Sequence, residues 1–309
     1  MIRSILVPMD CSAFGEQAVP VALTLAGPAK AKIHLLHVHR PLAEVHPEFA
    51  PYFDDEKLAG EIKTRQREYL DKVAARIAKQ GIEVDCVVKE GATAATIHEY
   101  VKTHAVDLMV MTTHGRGAMA RFWLGSVADE LVRDLPTPIL LVRPHGHDNQ
   151  EAAPSLKRIL VALDGSKFAE QVLDSALELA QLVEGEIVLL RVIKPFVPSN
   201  YSMEGVGHLA ANLVEQLGQM EKQARQEAEQ YLEHLSDRCR AKMVKATKQV
   251  VLADEPASAI LEKATPPAID MVALATHGRR GLSRLFLGSI ADKVVRGSTV
   301  PVLVHRPRD

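Results

Sequence analysis

Short apolar runs alternate with longer stretches of helical periodicity along the chain, and the whole alternation occurs twice. In the first half the runs 2–7, 33–38, 82–88, 108–111 and 139–142 are too short for helices and suit strands buried on both faces. Between them, 14–26, 61–79 and 94–102 carry helical spacing, and a fourth helix opens at Gly125-Ser126. The second half repeats this order. Residues 157–180 again read strand, turn and helix, with the helix over 168–180. Strands follow at 187–192, 243–252, 271–274 and 302–305, and helices at 209–235, at 257–264 and from Gly288-Ser289. Each half therefore reads β-α-β-α-β-α-β-α-β, the signature of a parallel sheet with helices on both faces. Duplication at this period marks repeated structural units. The polar, proline-bearing stretch 145–156 separates a first unit, 1–144, from a second, 157–309.

The clearest repeat runs from Asp107 to Pro144 and from Asp270 to Pro307. In each copy an apolar strand leads into Thr-His-Gly, and Gly-Ser follows ten residues after His-Gly: His114-Gly115 to Gly125-Ser126, and His277-Gly278 to Gly288-Ser289. Glycine lets backbone amides approach a ligand closely. The first amides of a helix lack intrahelical acceptors, so a glycine turn beside a helix N-terminus suits an anion, most often phosphate. Ser126 and Ser289 are expected as N-caps, a role compatible with phosphate binding because both use the same amides. Asp10 aligns with Asp164 and Ser12 with Ser166 at the end of each first strand. Each Asp reads either as a helix cap or as a carboxylate facing a ligand at the carboxyl end of the sheet.

Both copies resemble the universal stress protein family, whose nucleotide-binding members carry G-x-x-G, nine residues, then G-[ST]. Gly115 and Gly278 match the second glycine, and Gly125-Ser126 and Gly288-Ser289 match the last pair; Thr112 and Ala275 stand where the first glycine would be. The resemblance covers nearly the whole chain. It implies an α/β fold of two tandem doubly wound five-stranded parallel-sheet domains, Rossmann-like and of the adenine nucleotide α-hydrolase-like type. These would be packed as an intramolecular pseudo-dimer through their last strands, with a homodimer of such chains as a further association. It implies ATP, with magnesium as its companion ion, as the ligand. Asp10 and Asp164 would lie near ribose or metal. Val38 and Val192 would line the adenine pocket. Gly115, Gly125, Ser126 and the Val127 amide would hold the phosphates, as would Gly278, Gly288, Ser289 and Ile290. His114 and His277 would be turn or ligand contacts, and Pro8, Met111, Leu274 and Ala275 are counted among the binding residues. A threonine at the missing glycine adds bulk, or strain if φ must be positive, so the second half ranks as the better site.

Composition narrows the alternatives. Across 309 residues the net charge is −2, so no basic footprint for nucleic acid is expected. Three cysteines, far apart and odd in number, read as reduced thiols, and no apolar run suggests an export signal or a membrane span. The expected location is the cytoplasm. The histidines at 34, 37, 39 and 46 imitate a metal cluster, but strand alternation puts His34 on the face opposite His37 and His39, so no metal site is expected. Gly115 to Ala120 fits a loose dinucleotide pattern but follows a fourth strand rather than a first, and no P-loop motif is present. No nucleophile with an orienting acid accompanies His114 or His277, so catalysis is expected to reach at most slow ATP hydrolysis or self-phosphorylation. The expected role is a nucleotide-binding stress-response sensor or regulator. The alternative is a module that binds no nucleotide and works through dimer surfaces and the variable segments 41–60 and 195–220.

Overall fold

Apolar runs bounded by turn residues become strands wherever both faces can be covered, and of the ten strands among the described residues the inner ones are covered on both sides while the outermost, at either end of the sheet, are partly exposed. The computed structural model describes residues 1–41, 56–113, 124–144, 154–196, 208–276 and 287–306. In the first half the strands are β1 (Ser4–Met9), β2 (Lys32–His39), β3 (Val84–Glu90), β4 (Leu108–Thr112) and β5 (Ile139–Val142). The second half repeats them as β6 (Arg158–Leu163), β7 (Glu186–Ile193), β8 (Lys245–Leu252), β9 (Met271–Ala275) and β10 (Val302–His305). The helices are α1 (Ala18–Ala29), α2 (Glu56–Ala78), α3 (Thr93–Thr103), α4 (Ser126–Asp134), α5 (Gln171–Leu182), α6 (His208–Ala241), α7 (Pro256–Lys263) and α8 (Ser289–Gly297).

Within each half the pairing is parallel and the spatial order is 3-2-1-4-5. The halves meet where β5 and β10 pair antiparallel, Ile139 opposite Val304 and Leu141 opposite Val302, which makes one ten-stranded sheet. Side chains alternate across it. Ile5, Val7, Leu140 and Leu303 face α1, α2, α5 and α6, whereas Leu6, Met109, Leu141 and Val302 face α3, α4, α7 and α8. Both cores run continuously through the seam, where α1 also packs on α5. Pairing buries two four-residue apolar strands that would otherwise be exposed edges. The seam is also stitched by arginines at matching positions. Arg143 donates to the Ser298 carbonyl at 2.8 Å, and Arg306 donates to the Arg133 carbonyl and lies 3.7 Å from Asp134.

Several boundaries move from their expected places for local reasons. The helix expected from residue 14 begins with a 3₁₀ turn, Gly15–Gln17, before α1. Met243 does not open a strand: it sits at φ 58°, is 93 % exposed, and turns the chain into β8. The aspartates that begin the repeated stretch have a structural task. Asp107 accepts hydrogen bonds from the Arg3 and Ser4 amides, and Asp270 from the Lys157 and Arg158 amides, so each fastens the start of the neighbouring strand. No described helix is long and apolar enough to cross a membrane.

Candidate functional site

In an open parallel sheet ligands sit beyond the carboxyl ends of the strands, where strand order reverses. Here that reversal falls between β1 and β4 and again between β6 and β9, and a cavity opens at each. The first measures about 330 Å³ and the second about 960 Å³, both within the range of small-molecule sites.

The turn after β1 is built by Asp10, whose Oδ1 accepts from the Ser12 amide at 3.0 Å and the Ser12 hydroxyl at 2.6 Å. Asp164 does the same with Ser166, at 2.9 and 2.6 Å. The aspartates therefore organise an Asx-type turn, where a helix cap was one of two expectations. The intervening residue takes a left-handed backbone in both halves, Cys11 at φ 57° and Gly165 at φ 84°. Gly15 is required by close approach, because a Cβ there would fall 2.3 Å from Asp10 Oδ1.

The opposite wall is the N-terminus of α4 or α8. Ser126 and Ser289 are not the N-caps: the glycines before them are, and neither helix start has a side-chain cap. At α8 the reason is conformational, since the Gly288 φ of 59° and ψ of 133° strongly disfavour any residue with a Cβ; at α4 it is close approach, since a Cβ on Gly125 would lie 3.0 Å from the Thr113 carbonyl oxygen. The N-cap residues thus offer the first-turn amides no side-chain acceptor at the cavity rim. Thr112 and Ala275 end their strands in extended backbone, so the missing motif glycine brings bulk at Thr112 and no strain.

The first cavity brings together Pro8, Asp10, Val38, Met111, Thr112, Gly125, Ser126 and Val127. The second brings together Asp164, Val192, Leu274, Ala275, Gly288, Ser289 and Ile290. His114, Gly115, His277 and Gly278 lie outside the described residues.

Other lining residues escaped the sequence reading. His37 and Arg191 occupy the same position in the two halves, one residue before the valine assigned to adenine. His37 Nδ1 lies 2.8 Å from the Met9 carbonyl; a carbonyl only accepts, so Nδ1 carries the hydrogen. Arg191 Nη1 reaches the matching Leu163 carbonyl at 3.4 Å and brings a permanent cation where the first half has an imidazole. Comparing the aligned strands 33–38 and 187–192 would have revealed that difference. Beside the second site, burial first and then the Glu170 and Asp164 carboxylates push the Tyr231 phenol up, which keeps it neutral. No group of three or more potential metal ligands occurs among the described residues, and His34 faces Tyr100 on the side away from His37 and His39. His46 lies outside the described residues.

The profile of the universal stress protein family matches residues 1–143 and 155–306. A universal stress protein of Mycolicibacterium smegmatis is 30 % identical over 313 residues, covering 98 % of this chain and 97 % of its own. A Bacillus subtilis universal stress protein of single-unit length is 29 % identical over 149 residues, covering 48 % of this chain and 98 % of its own. Among solved structures, a universal stress protein from Archaeoglobus fulgidus superposes with a TM-score of 0.67 at 20 % identity, over 99 % of this chain and 97 % of that one.

Proposed function

The chain belongs to the universal stress protein family as a tandem member, and from that premise we propose that it binds an adenine nucleotide, ATP, in a stress-response sensing or regulatory role. The observation that carries the reading is the second cavity. The ends of three strands, the Asp164 turn and the uncapped N-terminus of α8 converge on one space of about 960 Å³. Val192 and Leu274 supply an apolar wall for adenine, and Asp164 a carboxylate for ribose. The amides opening α8, at Ser289 and Ile290, supply donors for phosphate. A magnesium ion arriving with ATP would be held mainly by the phosphates, as such ions usually are, with Asp164 and Asp292 the carboxylates lining the cavity. Units 1–144 and 157–309 act as an intramolecular pseudo-dimer, a reading supported by the β5–β10 pairing.

The smaller first cavity, with Thr112 on its wall, favours a different reading for that half: a pairing and interaction module with no bound nucleotide. The test is mass spectrometry of small molecules released from denatured, freshly purified protein, beside the Gly288→Glu and Gly125→Glu variants. Glutamate puts bulk and negative charge at the helix N-terminus. The expected result is adenine nucleotide from the wild type, lost in Gly288→Glu and retained in Gly125→Glu. No released nucleotide, together with no rise in melting temperature at high ATP, would sink the proposal.

A further inference from the structure

The second cavity is nearly three times the volume of the first, 960/330 ≈ 2.9, and part of its additional lining lies towards the seam. Beyond the N-terminus of α8 its lining continues through Asp292 and Arg296 to Arg133, a residue of the other half. The topology explains how Arg133 arrives there. Because β10 runs antiparallel to β5, the segment leading into β5 lies beside the segment leaving β10, at the ligand-facing end of the second half. Arg306 locks that juxtaposition by bonding the Arg133 carbonyl.

The side chain of Arg133 is anchored but not saturated. Nη2 donates to both carboxylate oxygens of Asp129, at 2.7 and 2.5 Å; Nε is buried and out of a ligand's reach, and Nη1 has no partner among the described residues. A guanidinium so placed is oriented by its own helix and keeps donor capacity for an anion. Charge runs the same way. Among the described lining residues, Arg133, Arg191, Lys194 and Arg296 outnumber Asp164 and Asp292 by two, whereas Asp10 is the one charged residue lining the first cavity beside His37.

We infer that the second-half site reads phosphate-chain length: it takes a nucleoside triphosphate whose distal phosphates reach Arg133, so the first half supplies part of the second half's site. This rests on the nucleotide reading above and adds to it the ligand class and the contributing residue. A monophosphate would fill the end near Gly288 and leave the seam end empty.

The experiment is calorimetric titration of AMP and of ATP into nucleotide-stripped full-length protein. The variants are Arg133→Gln, Arg133→Lys, the double variant Asp129→Asn/Arg133→Gln, and Gly288→Glu. The wild type should bind ATP more tightly than AMP. Arg133→Gln should weaken ATP about tenfold or more, as expected for losing a charge-assisted hydrogen bond, and leave AMP within about twofold. Retained AMP binding also shows that the variant is folded. Arg133→Lys should recover part of the loss, and the double variant should not recover it. Gly288→Glu should lose both ligands. Equal weakening of AMP and ATP, or no weakening, would overturn the inference while leaving nucleotide binding intact. Recovery in the double variant would overturn it too, because the loss would then come from the unpaired Asp129 charge. A wild type that binds neither ligand would remove the nucleotide reading and this inference together.

Discussion

Replacing Gly288 with alanine isolates one backbone constraint of the second cavity. The residue sits at φ 59° and ψ 133°, and an added Cβ would meet no described residue within 4 Å. Clash with the described residues therefore contributes nothing, and the cost is conformational: holding a non-glycine residue in so sparsely populated a region takes about 1–3 kcal/mol. An escape exists, since its counterpart Gly125 precedes α4 at φ −58° and ψ 148°. Reaching that geometry needs a turn of 59° + 58° = 117° in φ, which would re-aim the peptide entering α8 at the rim of the cavity. The variant is caught between a strained native site and a relaxed, misdirected one. Urea and thermal unfolding should show a loss of about 1–3 kcal/mol, with the melting temperature falling roughly 2–4 °C per kcal/mol for units of this size. Gly218→Ala is the control. Gly218 lies in the exposed interior of α6 with open space where a methyl group would go, so alanine there should raise stability by up to about 1 kcal/mol. If Gly288→Ala is neutral, or stabilises as Gly218→Ala does, the backbone argument is wrong.

Leu303 is fully buried at the seam opposite Leu140, so Leu303→Ala should cost about 2–5 kcal/mol in chemical denaturation; a loss below about 1 kcal/mol would mean that the seam is not a packed core. Cys239 is fully buried and its thiol is pushed up to about 11, chiefly by burial, leaving only about one thiolate in a thousand near pH 8. Timed alkylation with mass spectrometry should therefore label Cys11 and Cys86 first, and early labelling of Cys239 would contradict its placement. Burial, foremost, holds the His34 imidazole below its ordinary value of 6.5, so on acidification the unfolded chain takes up the proton first. Its contribution should be intact above about pH 6.5, decline as pH falls below that, and be gone once folded His34 also titrates. His34→Gln should flatten the stability profile between about pH 7.5 and 5.5, and an unchanged slope would refute this assignment.

The duplicated unit, the alternating strands and helices and the parallel pairing were all legible in the sequence. They rest on local rules: a run such as 139–142 is too short and too apolar to be anything but a doubly covered strand, and the repeat doubles the evidence. The lining residues drawn from the motif were legible for a related reason. In a parallel sheet with helical crossovers, every strand's carboxyl end and the N-terminus of the helix that follows fall at the same edge. The sequence misjudged what depends on φ and ψ at single positions. Serine is a good cap in general, yet at α8 the chain needed the positive φ that only Gly288 readily supplies, which moved Ser289 into the helix. Aspartates 10 and 164 likewise serve the turn, because their carboxylates find the amide two residues on before any helix begins.

What only the tertiary structure decided lies across the seam. No periodicity within either half says that β5 and β10 pair antiparallel in the register of Ile139 with Val304. That register brings Arg133 and Arg306, 173 positions apart, into contact, and adds a first-half cation to the lining of the second cavity. Local pattern depends on neighbours three or four residues away, whereas the shape and charge of a cavity depend on surfaces that meet only after both halves have folded.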